Sequence, residues 1–423
     1  MINTEYFKGK RVTVVGIARS GVACAHLLHE LGAQVSVTDA KDDQATRLNA
    51  SRLHTSQIQV ELGAHRKECI IGRDLIIVSP GIPREALPIA WAQELQIPVI
   101  SEIEFAWKLC PATVIAVTGS NGKTTVTTLI GQVLEAAGKK AFVCGNIGNP
   151  FSGEVAKMQR DDFVSLEVSS FQLEHAITFK PKIAAILNFS RNHLDRHKDM
   201  QEYLRAKKRI FMNQQESDHL VLNAQDPIVK ELHTEAKSHV TYFRESKAHD
   251  PNQAAVMAVA SLLGIESSIA QKVFQEFRGV EHRVEFVAQI NGVRFINDSK
   301  ATTVGASVWA LNRVDEKIIL IAGGRDKGND YSLIREVARQ KVSHAVLIGE
   351  AARNMEEAFK GVIVTHGATT LEEAVRIAYA LAELGDSVLL SPMCASFDMF
   401  TDYEHRGKVF KTVVQELSAV SKE

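Results

Sequence analysis

The tightest constraint on this chain is the stretch Thr118–Thr125, which reads TGSNGKTT. The apolar run Thr113–Val117 (TVIAV) precedes it, and Val126, Leu129, Ile130, Val133 and Leu134 follow at helical spacing. Strand, glycine turn and helix start, in that order, form the setting of a phosphate-binding loop. Gly119 and Gly122 let backbone N–H groups approach phosphate oxygens with no Cβ in the way. The helix N-terminus adds partial positive charge at the same place. Lys123 can reach the β- and γ-phosphates of a nucleotide, and the Thr124 hydroxyl can ligate Mg²⁺. Ser120, Asn121 and Thr125 complete the candidate ATP contacts. The alternative is a fortuitous glycine turn, against which spacing and context agree. The spacing is shorter than GxxxxGK[ST], so ordinary GTPases and helicases are poor templates.

The loop sits in the second of three blocks. The chain's 423 residues exceed one ordinary core and imply roughly two to four domains. In the first block Arg11–Val15, Gln34–Thr38, Leu75–Val78 and Pro98–Ile100 read as strands between helical stretches, with a boundary near residue 102. In the second, Thr113–Val117, Ala141–Cys144, Phe163–Val168, Ile183–Leu187 and Leu220–Leu222 read as strands, and a helical segment from Asn252 to Phe277 closes it. The third begins near Val280, with strands at Val293–Ile296, Ile318–Ile321, Ala345–Ile348 and Ser387–Leu390. Such alternation implies parallel sheets covered by helices. The expected fold is α/β in three domains: a Rossmann-like domain at 1–102, a P-loop mononucleotide-binding domain at 103–279 and a Rossmann-like domain at 280–423.

Composition narrows the partners. A formal net charge of −1 supplies no global field to recruit nucleic acid or an anionic membrane, so an anionic ligand must be held by local groups. The cysteines, Cys24, Cys69, Cys110, Cys144 and Cys394, are odd in number and widely spaced, with no CxxC. That argues against a disulfide framework or a zinc site and fits a reducing compartment. The start, MINTEYFKGK, has no apolar signal region, and no stretch approaches the ~20 apolar residues of a membrane span. A cytoplasmic protein is expected.

Three further positions offer metal chemistry. Glu167 ends an apolar run beside the loop, where a carboxylate can bind Mg²⁺ directly or through water. His193 lies in NHLDRH after the strand Ile183–Leu187; a lone histidine there is otherwise a surface or capping residue. Lys207 lies in YLRAKKRIF, a stretch that taken alone is a solvated basic helix face.

Taken together, the glycine-to-lysine spacing of GSNGKTT, VSSFQLE at 168–174, NHLDRH, RIF, the His282-Arg283 pair and NDSKAT at 297–302 resemble the Mur ligase family. The motifs run through all three blocks, and the chain is most similar to members that add D-glutamate. The resemblance implies an ATP-dependent, amide-bond-forming enzyme of peptidoglycan precursor synthesis, acting as a monomer on UDP-N-acetylmuramoyl-L-alanine and D-glutamate. It implies two Mg²⁺ ions held by Thr124, Glu167, His193 and Lys207. It further implies that Lys207 is carbamylated, with Lys208 the neighbouring register, and that Lys123, Glu167, His193 and Lys207 form the catalytic set. Arg283, Asp298 and Lys300 would contact ATP. Asn252 would take the adenine-side asparagine position, in a segment at 242–252 shorter than usual and lacking a glycine–histidine–asparagine motif. Thr302, Lys327, Ser396 and Tyr403 would hold D-glutamate, Tyr403 standing where some relatives have phenylalanine.

In the first block, GIARSG at 16–21 is a GxGxxG with alanine in the middle, and Asp39 ends the next strand. Read from the residues, this allows a dinucleotide or a nucleotide-diphosphate ligand. The resemblance favours the UDP group, with the diphosphate over Arg19 and Ser20 and uracil near Ala40 and Lys41. Gly81, in SPGI, would line the same pocket, Asn146 would reach the muramoyl portion of the acceptor or the nucleotide, and His193 would reach the acceptor. The alternatives are the ligases adding L-alanine, a diamino acid or polyglutamate, and a non-catalytic sensor of ATP and a UDP-sugar.

Overall fold

The β–α alternation becomes three separate sheets. The computed structural model describes residues 4–53, 57–193, 196–277, 279–326 and 328–420. They fall into two compact units, Met1–Phe277 and Arg278–Glu423.

The first unit holds two sheets. β1 (Arg11–Val15), β2 (Gln34–Asp39), β3 (Gln59–Leu62), β4 (Leu75–Val78) and β5 (Val99–Ser101) pair in the order β3-β2-β1-β4-β5, all parallel. β6 (Thr113–Thr118), β7 (Ala141–Gly145), β8 (Phe163–Glu167), β9 (Ile183–Ile186), β10 (His219–Asn223) and β11 (His239–Phe243) follow in the order β11-β10-β9-β6-β8-β7, again parallel. β6 sends Val114 and Ala116 into one core and Ile115 and Val117 into another, so both its faces are covered. Strand order reverses at β1 and at β6, and open α/β sheets bind ligands outside the strand C-terminal ends at such points. The loops there are residues 16–18, with the helix Arg19–Glu30 following, and 119–122.

The second unit holds β12 (Glu285–Ile290), β13 (Val293–Asn297), β14 (Ile318–Gly323), β15 (Val342–Ile348), β16 (Val364–Gly367) and β17 (Ser387–Leu390), ordered β12-β13-β17-β14-β15-β16. β12 runs antiparallel to β13, and the other pairs are parallel.

Four strands have no counterpart in the sequence reading: β3, β11, β12 and β16. Each is a sheet edge, with mostly exposed or half-exposed residues that break any apolar run. The expected helical segment from Asn252 to Phe277 is two helices, Pro251–Leu262 and Ser267–Glu276, parted by a turn at Gly264.

One core runs through both sheets of the first unit, joining Val12 and Val14 of β1 to Val114 and Ala116 of β6 through Phe7, Phe105 and Phe151. The helix Glu102–Leu109 adds two buried carboxylates. Glu104 accepts the backbone N–H groups of Ile177 at 3.0 Å, Thr178 at 3.0 Å and Phe179 at 2.8 Å. Lys108 pairs with it at 3.0 Å. Glu102 accepts from the Ser152 N–H at 2.6 Å. Both carboxylates tie the chain leaving the first sheet to loops of the second. Glu104→Ala removes the acceptor of three N–H donors, the Phe179 one buried, and is expected to destabilise the first unit by about 2 kcal/mol. The urea midpoint of its unfolding transition checks this, and an unchanged midpoint would refute the clamp.

Candidate active site

The phosphate loop is built by its neighbours as much as by its own residues. Gly122 precedes the helix Lys123–Ala136 in the left-handed region, at φ +81°, and a Cβ there would strike the side-chain oxygen of Asn252. Asn252 thus lies against the loop from the first turn of the helix Pro251–Leu262. Asn188, past β9, pins it from the other side: the Asn121 N–H donates to its Oδ1 at 2.8 Å, and its Nδ2 donates to the Asn121 carbonyl at 3.1 Å. Ser120 Oγ donates to the Ser190 carbonyl at 3.1 Å and accepts the Ser190 N–H at 2.9 Å. A cleft of about 460 Å³ is lined by Phe189, Asn223, Asp226, Ile228, Glu245 and Pro251, the last next to Asn252 in sequence.

Two lysines meet at one carbonyl. Lys123 Nζ donates to the Gly119 carbonyl at 3.0 Å and the Ser120 carbonyl at 3.1 Å. Lys207 Nζ donates to the same Gly119 carbonyl at 2.9 Å and to Thr118 Oγ1 at 3.4 Å. Lys207 is 1% exposed and its ammonium lies 4.6 Å from the Tyr203 ring centre. Burial, and then the Lys123 cation, pull its pKa well below the ordinary lysine value, while Glu167 acts the other way. Lys208 turns away and pairs with Glu235. Thr124 is buried at the start of the helix, and Thr125 is half-buried beside it.

Glu167 ends β8 at 1% exposure. Its Oε1 accepts from Asn146 Nδ2 at 2.7 Å; its Oε2 is buried with no hydrogen-bond partner among the described residues. A buried carboxylate oxygen lacking a donor, beside a phosphate loop, fits a divalent cation. Among the described residues no three His, Cys, Asp or Glu side chains gather into a metal cage. A Mg²⁺ ion shared with substrate phosphates needs only one or two protein carboxylates. Asn146 stands on this central sheet, past β7.

His193 adopts φ +56°, its ring 4.8 Å from Phe171 and 5.8 Å from Tyr203, centre to centre. Tyr203 therefore touches both His193 and Lys207, and its hydroxyl lies 3.3 Å from Ser120 Oγ. Sequence reading gave Tyr203 no role, though its place one helical turn before Lys207 was the available signal. Asp195 of the same motif lies outside the described residues. Arg196 was also passed over. Its guanidinium donates to the Gly81 carbonyl at 3.4 Å and to the Ile82 carbonyl, pairs with Glu174 at 3.0 Å and lies 5.1 Å from the Phe171 ring centre. It binds the turn after β4 to the His193 segment.

In the first sheet Asp39 organises the loops after β1 and β2, accepting from the Ile17 N–H at 2.9 Å and the Lys41 N–H at 3.0 Å. Ser79 Oγ donates to the Gly16 carbonyl at 3.0 Å. Arg19 and Ser20, in the first turn of the helix after β1, and Ala40, Lys41 and Gly81 on the loops after β2 and β4 are thereby gathered at one sheet edge, all but Ser20 exposed.

In the second unit, Arg283 lies over the Trp309 ring at 5.2 Å. Asp298, just past β13, accepts from the Val284 N–H at 3.2 Å and from Ser391 Oγ at 2.7 Å. Burial pushes its carboxyl up to about 7 against those hydrogen bonds. Lys300 Nζ lies 5.6 Å from the Tyr403 ring centre, and the Thr302 N–H donates to the Lys300 carbonyl at 2.9 Å. Ser396 is buried on the loop after β17. Lys327 lies outside the described residues.

Three family models cover the chain in sequence: the Mur ligase MurD-like N-terminal domain over 10–101, the Mur ligase middle domain over 117–286 and the Mur ligase glutamate ligase domain over 282–394. The UDP-N-acetylmuramoylalanine–D-glutamate ligase of Geotalea uraniireducens is 41% identical, covering 96% of this chain and 98% of its own. That of Koribacter versatilis is 42% identical, covering 98% and 99%. In fold, the UDP-N-acetylmuramate–alanine ligase of Thermotoga maritima superposes with a TM-score of 0.63 at 18% identity, over 96% of this chain and 99% of that one. A pseudomurein peptide ligase from Methanothermus fervidus gives 0.57 at 18%, over 97% and 100%. With the phosphate loop, the buried Glu167 and Lys207 beside it and these full-length matches in hand, the chain belongs to the Mur ligase family.

Proposed function

We propose that this chain joins D-glutamate to UDP-N-acetylmuramoyl-L-alanine with ATP, giving ADP and phosphate, in the cytoplasmic steps of peptidoglycan synthesis. The observation that carries the chemistry is the buried, half-unpartnered Glu167 beside a loop where Lys123 and Lys207 converge. The choice of D-glutamate rests on the two relatives at 41% and 42% identity, whose names specify it. Functional divisions at 1–102, 103–279 and 280–423, and action as a monomer, belong to the same reading.

The acceptor's alanine carboxylate attacks the γ-phosphorus of ATP, and ADP leaves. Lys123 moves from its carbonyl partners to the β- and γ-phosphate oxygens, where its charge opposes what develops in transfer. The loop N–H groups of 119–122 hold the phosphates, and Asn252 with the adjoining cleft receives the adenine side. Thr124, Glu167, His193 and Lys207 would hold Mg²⁺, which when bound neutralises phosphate charge. The low Lys207 pKa favours the free amine, the form that adds CO₂ to give a carbamate and a proton. On the first sheet Arg19 and Ser20 face the diphosphate, and Ala40, Lys41 and Gly81 the uridine. The amine of D-glutamate, held by Thr302, Lys327, Ser396 and Tyr403, attacks the acyl carbon of the resulting acyl phosphate. Phosphate leaves and the amide forms. Arg283, Asp298 and Lys300 contact the nucleotide.

The test is phosphate release with ATP, Mg²⁺ and UDP-N-acetylmuramoyl-L-alanine, offering D-glutamate, L-glutamate, L-alanine and a diamino acid in turn. Turnover with D-glutamate alone is expected. Turnover only with another amine would discard the donor assignment, and release independent of acceptor and amine would discard the ligase reading.

A further inference from the structure

Arg406, in the first turn of the helix Tyr403–Val420, is 0% exposed. No carboxylate pairs with it among the described residues. Burying a guanidinium costs several kcal/mol of desolvation, which its hydrogen bonds must offset. Its contacts point to a further purpose. Nε donates to Ser299 Oγ at 3.0 Å, and Nη2 donates to the Ser299 carbonyl at 2.9 Å and the Cys394 carbonyl at 3.1 Å. Nη1 is buried without a partner among the described residues, and a Cβ on Gly324 would come within 3.1 Å of it. Ser299 Oγ in turn donates to the Tyr403 carbonyl at 2.8 Å. The Arg325 N–H, next to Gly324, donates to the Ala395 carbonyl at 2.9 Å.

One planar fork therefore touches the loops after β13, β14 and β17 as well as its own helix. Those loops and that helix carry Lys300, Thr302, Ser396 and Tyr403, each within three residues of an Arg406 contact or of Arg406 itself. We propose that Arg406 is a positioning residue that fixes the relative placement of the three loops binding the amine donor. The inference rests on the donor assignment made above. A lysine keeps the charge at this position but cannot reproduce donors in three fixed directions.

The experiment measures KM for D-glutamate, ATP and acceptor in the wild type, Arg406→Lys and Ser299→Ala, with thermal melts confirming that each is folded. Arg406→Lys is expected to raise the D-glutamate KM by about tenfold or more, with the ATP and acceptor KM held within about twofold. Ser299→Ala, which removes the acceptor of Nε and the donor to Tyr403, is expected to raise the same KM by a smaller factor. An unchanged D-glutamate KM in folded Arg406→Lys, or a parallel rise in all three constants, overturns the proposal. If Arg406→Lys does not fold, an unchanged D-glutamate KM in Ser299→Ala overturns it. A wild type that turns over a different amino acid sinks the donor assignment instead, and the positioning role is then judged on that amino acid's KM.

Discussion

Lys123→Ala is expected to lower the turnover number by about 10³-fold while leaving the fold intact. In the free enzyme Lys123 Nζ rests on two neutral carbonyls, Gly119 and Ser120. These exchange readily for phosphate oxygens, with which the hydrogen bond becomes charge-assisted and stronger. The loss should fall on turnover more than on ATP affinity, because the backbone cradle at 119–122 survives the substitution. Single-turnover phosphate release separates the two, and a rate within tenfold of wild type would remove Lys123 from the transfer step. The same variant deletes the cation that helps to lower the Lys207 pKa.

The second large effect is at Lys207. Lys207→Met keeps the apolar stem against Tyr203 and removes the amine, and is expected to cost about 10²-fold or more in turnover. If the amine works as a carbamate, stripping bicarbonate and CO₂ from wild-type enzyme should slow it reversibly, whereas Lys207→Met should not respond. Carbon-13 NMR of enzyme supplied with labelled bicarbonate would show the carbamate carbon in wild type and not in the variant. Full activity in CO₂-free buffer, with no such resonance, would leave Lys207 a plain amine. Lys208→Met serves as control, since Lys208 faces Glu235 rather than the phosphate loop.

The sequence showed most plainly what burial makes uniform. β6 and β14 are covered on both faces, so they read as unbroken apolar runs. The edges β3, β11, β12 and β16 have one side or more in water, carry no such run and were missed. The phosphate loop was legible because strand, glycines, lysine and helix are contiguous. Tyr203, Arg196 and Arg406 were not, because their work is done across the fold. Tyr203 reaches Ser120 from 83 positions away, and Arg196 reaches Ile82 from 114. Nor does a sequence distinguish Lys207 from Lys208; the difference is which side of one helix faces the loop.

Arg196 also sets a measuring rule for inhibitor chemistry. It ties the turn at Gly81 and Ile82, assigned above to the uridine side, to the segment carrying His193, within a unit that Glu104 also bridges. These ties link the loops assigned above to the diphosphate with the phosphate loop inside one compact unit. A bisubstrate molecule joining a diphosphate arm to a nucleotide arm would find its second pocket at an effective concentration set by linker length alone, in the millimolar range for a short flexible tether. A stiff linker cut to the span between those loops should gain further, because the ligand then loses less freedom on binding.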